Sequence, residues 1–174
     1  MPATYTLISS NVLSSSAASV TFSSIPATYT DLVIRWSTRD TQTNTDRRVT
    51  ITLNSDTSAL YSYTLIYGTG ASAGSANQGT ANNLAVDGGS TASGATANTF
   101  SNAELYLPNY TSTVSKPLSV FTVPETNAAT FGVTGMTANA MLYRNTSAIS
   151  SITLAASVNF VSTSSFYLYG ISNA

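Results

Sequence analysis

Apolar and polar residues alternate with a period of two along much of the chain, a pattern that predicts β-strands. The clearest run is Ser23–Arg39, in which Leu32, Ile34 and Trp36 share one face. The residues between them, mostly polar, share the other face. The proline of the preceding Ile25-Pro26 turn fixes φ and pushes the residue before it into an extended conformation. We therefore predict a central strand with one buried face.

The same alternation recurs in short segments separated by turn-forming residues. Besides the central strand, the predicted strands are Thr4–Ser9, Ala18–Phe22, Arg47–Asn54, Leu60–Tyr67, Phe100–Leu107, Pro117–Val123, Thr130–Met136, Ala140–Tyr143, Ile149–Ala155 and Ser165–Ile171. Long runs of helix-forming residues are absent. Many short strands with turn signals between them predict an all-β fold, an antiparallel β-sandwich of jelly-roll-like type.

One segment, Gly68–Thr99, breaks the pattern. It holds seven of the 10 glycines and almost no large apolar residue beyond Leu84 and Val86. A structureless loop of this length inside a compact domain is improbable. We interpret residues 68–99 as an ordered excursion used in assembly, with a flexible excursion or a small hairpin at Asp87-Gly88 as open alternatives. Removing it should leave the sandwich folded, because loop closure depends only weakly on length.

No second domain or internal repeat is evident, so residues 1–174 are predicted to form a single domain. Charged residues make up 7% of the chain, against about 25% in an average globular protein. The net charge of −1 gives no electrostatic footprint for nucleic acid or for a membrane surface. So little charge protects a monomer poorly from association. We expect a homo-oligomer, with a trimer favoured, because closed cyclic symmetry limits growth.

Candidate catalytic chemistry is sparse. The chain has no histidine and no cysteine, which removes the usual general base, the thiol nucleophile and the commonest metal ligand. Among the seven carboxylates, only Glu104 lies inside a predicted strand, where an outward position opposite Arg35 or Lys116 explains it. We therefore predict no catalytic residue, no cofactor and no enzymatic activity.

Two clusters could bind ions. Asp40, Asn44 and Asp46 could offer oxygens to calcium, but they lack the spacing and the bidentate glutamate of a calcium loop, so turn formation is the favoured interpretation. We predict no metal ligand. Arg47 and Arg48 could grip a phosphate, but neighbours in a strand face opposite ways. Edge protection or an ion pair between subunits is favoured for these two residues.

Aromatic residues offer a third candidate site. Tyr61, Tyr63 and Tyr67, together with Trp36, could form a platform on which sugars stack. Aromatic residues that share one strand face more often belong to a core or an interface. We therefore favour a packing role for these four side chains and keep the sugar platform as the alternative.

Two segments carry a family resemblance. They are ASVTFSSIPATYTDLVIRWSTR, Ala18–Arg39, and SSITLAASVNFVSTSSFYLYGI, Ser150–Ile171. Both resemble the opening and closing strands of small virion structural proteins of tailed bacteriophages, cyanobacterial phages among them, and the opening TYTLISS is similar as well. The resemblance implies a non-enzymatic β-sandwich mounted on a phage particle.

On this resemblance we predict a capsid decoration (cement) protein that is located in the virion and binds and stabilises the shell of the major capsid protein. The alternative is a tail-fibre or receptor-binding module that recognises host-surface glycans. A glycan-active enzyme that uses aspartate or glutamate is the third hypothesis. The motifs that carry the resemblance form strands and mark no active site, so they carry over no functional residue.

Overall fold

The computed structural model describes residues 4–127 and 135–172. This part of the chain forms thirteen strands and no helix, and hence no helix that could cross a membrane. The strands are β1 (Tyr5–Val12), β2 (Ala17–Phe22), β3 (Asp31–Ser37), β4 (Arg39–Asp40), β5 (Asp46–Leu53), β6 (Tyr61–Gly68), β7 (Ala73–Ala81), β8 (Leu84–Ala92), β9 (Asn102–Leu107), β10 (Lys116–Val123), β11 (Met136–Tyr143), β12 (Ile152–Phe160) and β13 (Ser165–Ile171). The predicted all-β fold is confirmed.

The strands form two sheets. The large sheet has eight strands in the order β1-β13-β3-β9-β10-β11-β6-β7, and every neighbouring pair is antiparallel. The small sheet has the order β2-β12-β4-β8-β5, with a further pairing of β12 with β5 and one parallel pair, β4 with β8. The arrangement agrees with an antiparallel β-sandwich. A jelly roll has eight strands in its two sheets, so that part of the prediction is not confirmed.

Strand β3 lies in the interior of the large sheet, between β13 and β9. Leu32, Ile34 and Trp36 are buried on its inner side, as the alternation predicts. Val33 is on the other side, yet it is only 1% exposed. Its cross-strand neighbours there are Tyr169 and Tyr106. The outward side of β3 is therefore apolar in its middle, which alternation alone does not predict.

The inward side chains of both sheets form one apolar core, in which burying a single Leu or Ile stabilises the fold by about 1.5–3 kcal/mol. A backbone carbonyl joins the two sheets inside it. The Gly89 oxygen in β8 accepts hydrogen bonds from Trp36 Nε1 at 2.8 Å, from Thr38 Oγ1 at 3.1 Å and from Ser101 Oγ at 2.8 Å. A Cβ at position 89 would lie 2.9 Å from the Cβ of Val49 in β5, the neighbouring strand of the same sheet, so the bulge of β8 requires glycine here.

Residues 68–99 do not form an excursion. Strand β8 is buried along almost its whole length, between β4 and β5, and Leu84 and Val86 belong to the core. Asp87-Gly88 is not a hairpin turn: Gly88, with φ of 65°, lies in a bulge within β8. The predicted dispensability of the whole segment does not agree with this burial, because the small residues of β8 pack inside the sandwich, whereas β7 is exposed.

The remaining boundaries differ by a few residues at each end. Strand β1 continues to Val12 rather than ending at Ser9, and β12 runs from Ile152 to Phe160 rather than from Ile149 to Ala155. The predicted strand Thr130–Met136 lies mostly outside the described residues. Its last residue, Met136, opens β11, which continues through the predicted segment Ala140–Tyr143.

A tyrosine pair fixes one corner of the sandwich. The rings of Tyr61 and Tyr143 stack at 4.7 Å. Tyr143 donates its hydroxyl to Asp56 Oδ2 at 2.7 Å, and Tyr61 donates to the Asp56 carbonyl at 2.8 Å. Hydrogen bonds from the Ser58 hydroxyl and from Tyr143 hold the pKa of Asp56 well below its usual range, and burial together with the Asp56 contact raises the pKa of Tyr143.

We expect Trp36→Ala to lower the free energy of unfolding by about 3–5 kcal/mol, the range for truncating a large buried aromatic side chain. The matched variant is Phe121→Ala in β10, which truncates an aromatic ring that is 49% exposed and should cost no more than about 1 kcal/mol. Urea denaturation measures both. Equal losses in the two variants would show that the burial of the β3 inner face does not govern stability.

The Asp56 corner predicts a pH dependence. A carboxylate whose pKa is lower in the folded than in the unfolded chain, where it is about 3.9, stabilises the fold above that unfolded value. This contribution is lost as the pH falls through and below about 4. Asp56→Asn should therefore flatten the fall of the free energy of unfolding between pH 5 and pH 2, and Tyr143→Phe should flatten it partly. A curve for Asp56→Asn parallel to that of the wild type would refute this assignment.

Candidate functional site: the outer face of the large sheet

The side of the large sheet that points away from the core is unusually apolar, and we call it the outer face. Among the described residues nine large apolar side chains are exposed, and strand register places seven of them here. They are Tyr5, Leu7, Val12, Ile66, Tyr106, Phe121 and Met136. The outward side of an antiparallel sheet is usually polar. Packing of the sheet within the fold therefore does not explain why this side is apolar.

An exposed ion pair lies within the outer face. Arg35 Nε is 2.7 Å from Glu104 Oε2, and the two side chains are 52% and 47% exposed. The guanidinium carbon of Arg35 lies 5.7 Å from the ring centroid of Tyr5 and 5.9 Å from that of Tyr169. The hydrogen bond to Glu104 raises the pKa of Arg35. The prediction that Glu104 points outward, opposite Arg35, is confirmed.

Lys116, the other cation considered for Glu104, is placed elsewhere. It is buried at the start of β10, and its Nζ donates to the carbonyls of Ser112 at 2.7 Å and Val114 at 2.6 Å. Burial lowers the pKa of Lys116. The lysine therefore ties down the loop before β10 and takes no part in the outer face.

A second polar contact orients an exposed ring. The Tyr106 hydroxyl donates to Asp31 Oδ2 at 2.8 Å, and the backbone N–H of Asn109 donates to Asp31 Oδ1 at 2.9 Å. The bond to Asp31 raises the pKa of Tyr106. Because both carboxylate oxygens are used, the ring of Tyr106 is held in place with its hydroxyl at Asp31 of β3. A fixed aromatic side chain loses little conformational entropy when a partner covers it.

Shallow grooves run between the protruding side chains. One groove of about 460 Å³ has Phe121 and Tyr106 on one side and Ile66 on the other. Its floor is made by small residues, since Ala138 separates Phe121 from Ile66 in the strand register. A second groove, of about 490 Å³, lies against Arg35, Glu104 and Phe121. The face is thus ridged, with apolar ridges and mixed polar and apolar floors.

The aromatic residues that the sequence singled out do not form an exposed platform. Trp36 and Tyr61 are buried, and Tyr63 and Tyr67 are half-buried on the inner side of β6. The sugar platform built from these four residues is therefore wrong, and the packing role is confirmed for Trp36 and Tyr61. Among the described residues, the exposed aromatic side chains are Tyr5 on β1, Tyr106 on β9 and Phe121 on β10. Their signal was present as apolar residues at outward positions of alternating strands.

Two of the proposed calcium ligands, Asp40 and Asp46, accept hydrogen bonds from backbone N–H groups. Asp40 is buried, and its Oδ1 accepts a hydrogen bond from the Gln42 N–H at 2.7 Å, as a turn-forming aspartate does. Asp46 is buried and accepts from the Gly135 N–H at 3.1 Å through Oδ2. Within residues 4–127 and 135–172, no group of three or more acidic side chains could hold a metal ion. Turn formation is thus confirmed for Asp40.

The arginine pair also has separate roles. Arg48 Nε lies 2.6 Å from Asp87 Oδ1, an ion pair within the chain that raises the pKa of Arg48, while Arg47 is half-buried. Strand β5 has neighbours on both sides, β8 and β12. Edge protection is therefore the wrong explanation for these two arginines, since the strand that carries them is not an edge.

The exposed ion pair should contribute little to folding. A double-mutant cycle of Arg35→Ala and Glu104→Ala, measured by urea denaturation, should give a coupling of about 0.2–1 kcal/mol, because solvent screens exposed pairs. The coupling should shrink further in about 1 M salt, where the Debye length is about 3 Å. A coupling of several kcal/mol would show that the ion pair stabilises the sheet itself. The outer face would then have no exposed ion pair that is free of a role in folding.

Comparison with protein-family models, with curated proteins and with solved structures finds no match to this chain. No relative therefore suggests a ligand or partner, and a function must be argued from the residues described above. The resemblance to virion structural proteins remains a prediction from the sequence.

Proposed function

We propose that this chain is a non-enzymatic structural protein of a phage particle, a capsid decoration protein that binds and stabilises the shell of the major capsid protein. The observation that carries the proposal is the outer face, with seven exposed large apolar side chains. Contiguous apolar surface beyond a few hundred Å² marks interaction sites on soluble proteins. The resemblance to phage virion proteins names the partner, and the outer face is the surface that we assign to it.

The size of the outer face suits such an interface. Eight strands about 4.8 Å apart, each about six residues long with a rise of about 3.3 Å per residue, cover roughly 38 Å by 20 Å, or about 800 Å². Each partner in a standard protein–protein interface contributes about the same area. A rigid sheet also presents this area without first having to order a loop, which lowers the entropic cost of binding.

The chemistry of the outer face points in the same direction. Tyrosine, phenylalanine, methionine and arginine are the residue types enriched in interfaces, and the face carries Tyr106, Phe121, Met136 and Arg35. Lysine is depleted in interfaces, and the one lysine of the chain is buried elsewhere. Attachment then relies on burial of apolar surface, with the Arg35–Glu104 pair setting orientation more than affinity.

Self-association belongs to the same proposal. With 6 cations and 7 anions on 174 residues, charge repulsion does little to keep copies apart. A homo-oligomer, with a trimer favoured, would carry several outer faces, each able to contact a different capsid subunit. Such multivalency raises the overall affinity without any new contact.

A second candidate function is a tail-fibre or receptor-binding module that recognises host-surface glycans. One observation favours it: the groove of about 490 Å³ places the exposed ring of Phe121 beside Arg35, Asn102 and Glu104. An aromatic face beside hydrogen-bonding side chains is a combination that binds sugars through stacking and polar contacts. Copy number separates the two candidates, because a decoration protein is present in numbers comparable to the capsid subunits and a tail module in few copies.

A pelleting assay with capsids that lack the protein tests the proposal. Wild-type protein should sediment with the shells both in low salt and in about 1 M salt, because screening removes charge contacts and leaves apolar burial intact. Phe121→Asp should abolish binding by placing a charge in the interface. The matched control Val158→Asp, at an exposed apolar position of the small sheet, should bind like the wild type.

Three outcomes would contradict the proposal. Release of the wild type in high salt would show an electrostatic attachment rather than burial. Equal binding by Phe121→Asp and Val158→Asp would remove the outer face from the interface. Binding to host cells, with none to capsids, would favour the glycan-recognition module, and quantitative mass spectrometry of purified particles would then show few copies.

A further inference from the structure

Both edges of the large sheet are open in the part of the chain that the structure describes. Strand β1 pairs only with β13, and β7 only with β6. Nearly every residue of the two strands is exposed. An open edge presents a row of unpaired backbone N–H and C=O groups to another strand.

Neither edge carries the charged residues or proline that commonly protect an edge against pairing. Natural edges are short, or hold charged residues or proline. Strands β1, YTLISSNV, and β7, AGSANQGTA, have 8 and 9 residues, with no charge and no proline. Each has one break in register, between Leu7 and Ser9 in β1 and after Gln78 in β7. The stretch Ala73–Gln78 keeps an unbroken register with β6 and is long enough to accept a further strand.

The side chains of the two edges differ in size and complement each other. Strand β1 exposes Tyr5, Leu7 and Val12, whereas β7 consists of small residues together with Asn77 and Gln78. Pairing β1 with β7 places large side chains next to small ones. Pairing β7 with a second β7 would bury little side-chain area, and pairing β1 with a second β1 would crowd large side chains. Packing therefore favours the unlike pair.

Strand direction permits this pair. Neighbours alternate in direction across the large sheet, so β1 and β7, the first and eighth strands, run antiparallel to each other. A second copy placed with its β1 beside β7 of the first continues the antiparallel ladder. The outer faces of both copies then lie on the same side of one continuous sheet.

We infer that β7 of one copy pairs with β1 of the next, and that this head-to-tail contact closes the copies into a ring. The inference rests on the self-association proposed above and names the surfaces that mediate it. Pairing unlike surfaces gives a ring if the rotation closes and a filament if it does not. A ring uses both open edges of the large sheet in every copy, so that neither of them is left for further growth.

Engineered disulfides test the inference cleanly, because the chain has no native cysteine. The double variants combine Ser10→Cys on β1 with either Ser75→Cys or Asn77→Cys on β7, which samples two registers on the outer face. The two edges of one copy are about 34 Å apart, so any disulfide must join two copies. Under mild oxidation, one double variant should give a single covalent ring, with a trimer expected. The single variants should not cross-link.

Light scattering on the wild type, carried out before the cross-linking, measures its oligomeric state. It shows whether a negative result concerns self-association itself or only the choice of pairing strands. A monomeric wild type would overturn the proposed self-association and this inference with it, and would leave capsid binding to the pelleting assay. An oligomeric wild type whose double variants do not cross-link would overturn the inference alone. Efficient dimerisation of Ser75→Cys or Ser10→Cys by itself would show like-with-like pairing, and an open ladder of products would refute ring closure.

A charge placed on the edge gives an independent readout. Ala76→Lys, in the unbroken part of β7, should shift the protein from oligomer to monomer, because a lysine on the edge must lose its hydration when a strand pairs there. Val158→Lys, on the small sheet, should leave the oligomer intact. Urea denaturation checks that both variants fold. Dissociation of both variants, or of neither, would overturn the assignment of β7 to the interface.

Discussion

The close approach of the two sheets at Gly89 is the constraint on which the rest of the sandwich depends. A backbone carbonyl buried in a core loses its hydration and must find donors inside the protein. Here Trp36 in β3, Thr38 after the end of β3 and Ser101 before the start of β9 supply three of them to a strand of the small sheet. Because Gly89 has no side chain, β8 can lie close to Val49 of β5 while its carbonyl accepts the hydrogen bond from the Trp36 indole.

Sequence patterns predicted the strands whose two sides differ in polarity. The inner side of β3 and the outward position of Glu104 follow from alternation, because one side of those strands is apolar and the other carries charge. Strand β8 escaped the same reasoning, since its residues LAVDGGSTA are mostly small. Small residues are typical of loops, yet they also suit a strand that two neighbours and an opposing sheet approach closely. Residue size, and not polarity, determines the place of β8.

The outer face escaped prediction for a related reason. Alternation shows that two sets of residues point in opposite directions, but it does not say which apolar side chains are covered. Tyr61 and Tyr106 lie in two strands of the same sheet, yet Tyr61 stacks in the core and Tyr106 lies exposed beside Asp31. The register places Tyr61 on the inner side of β6 and Tyr106 on the outer side of β9, next to Glu104, so the two apolar rings differ in which side of the sheet they occupy. A partner surface of this kind becomes recognisable only once the topology is known.

The pairing order also has a consequence for how the chain reaches its native state during synthesis. Strand β13, the last of the described strands, lies between β1 and β3, so the large sheet keeps a gap until this segment has left the ribosome. Contacts between residues so distant in sequence are slow to form. The early strands must therefore wait with unsatisfied edges, at a stage when chains can pair wrongly with one another. Because the chain carries few charges, little electrostatic repulsion opposes such wrong pairing before β13 is in place. The incomplete sheet is therefore the state in which chains of this protein associate wrongly most easily.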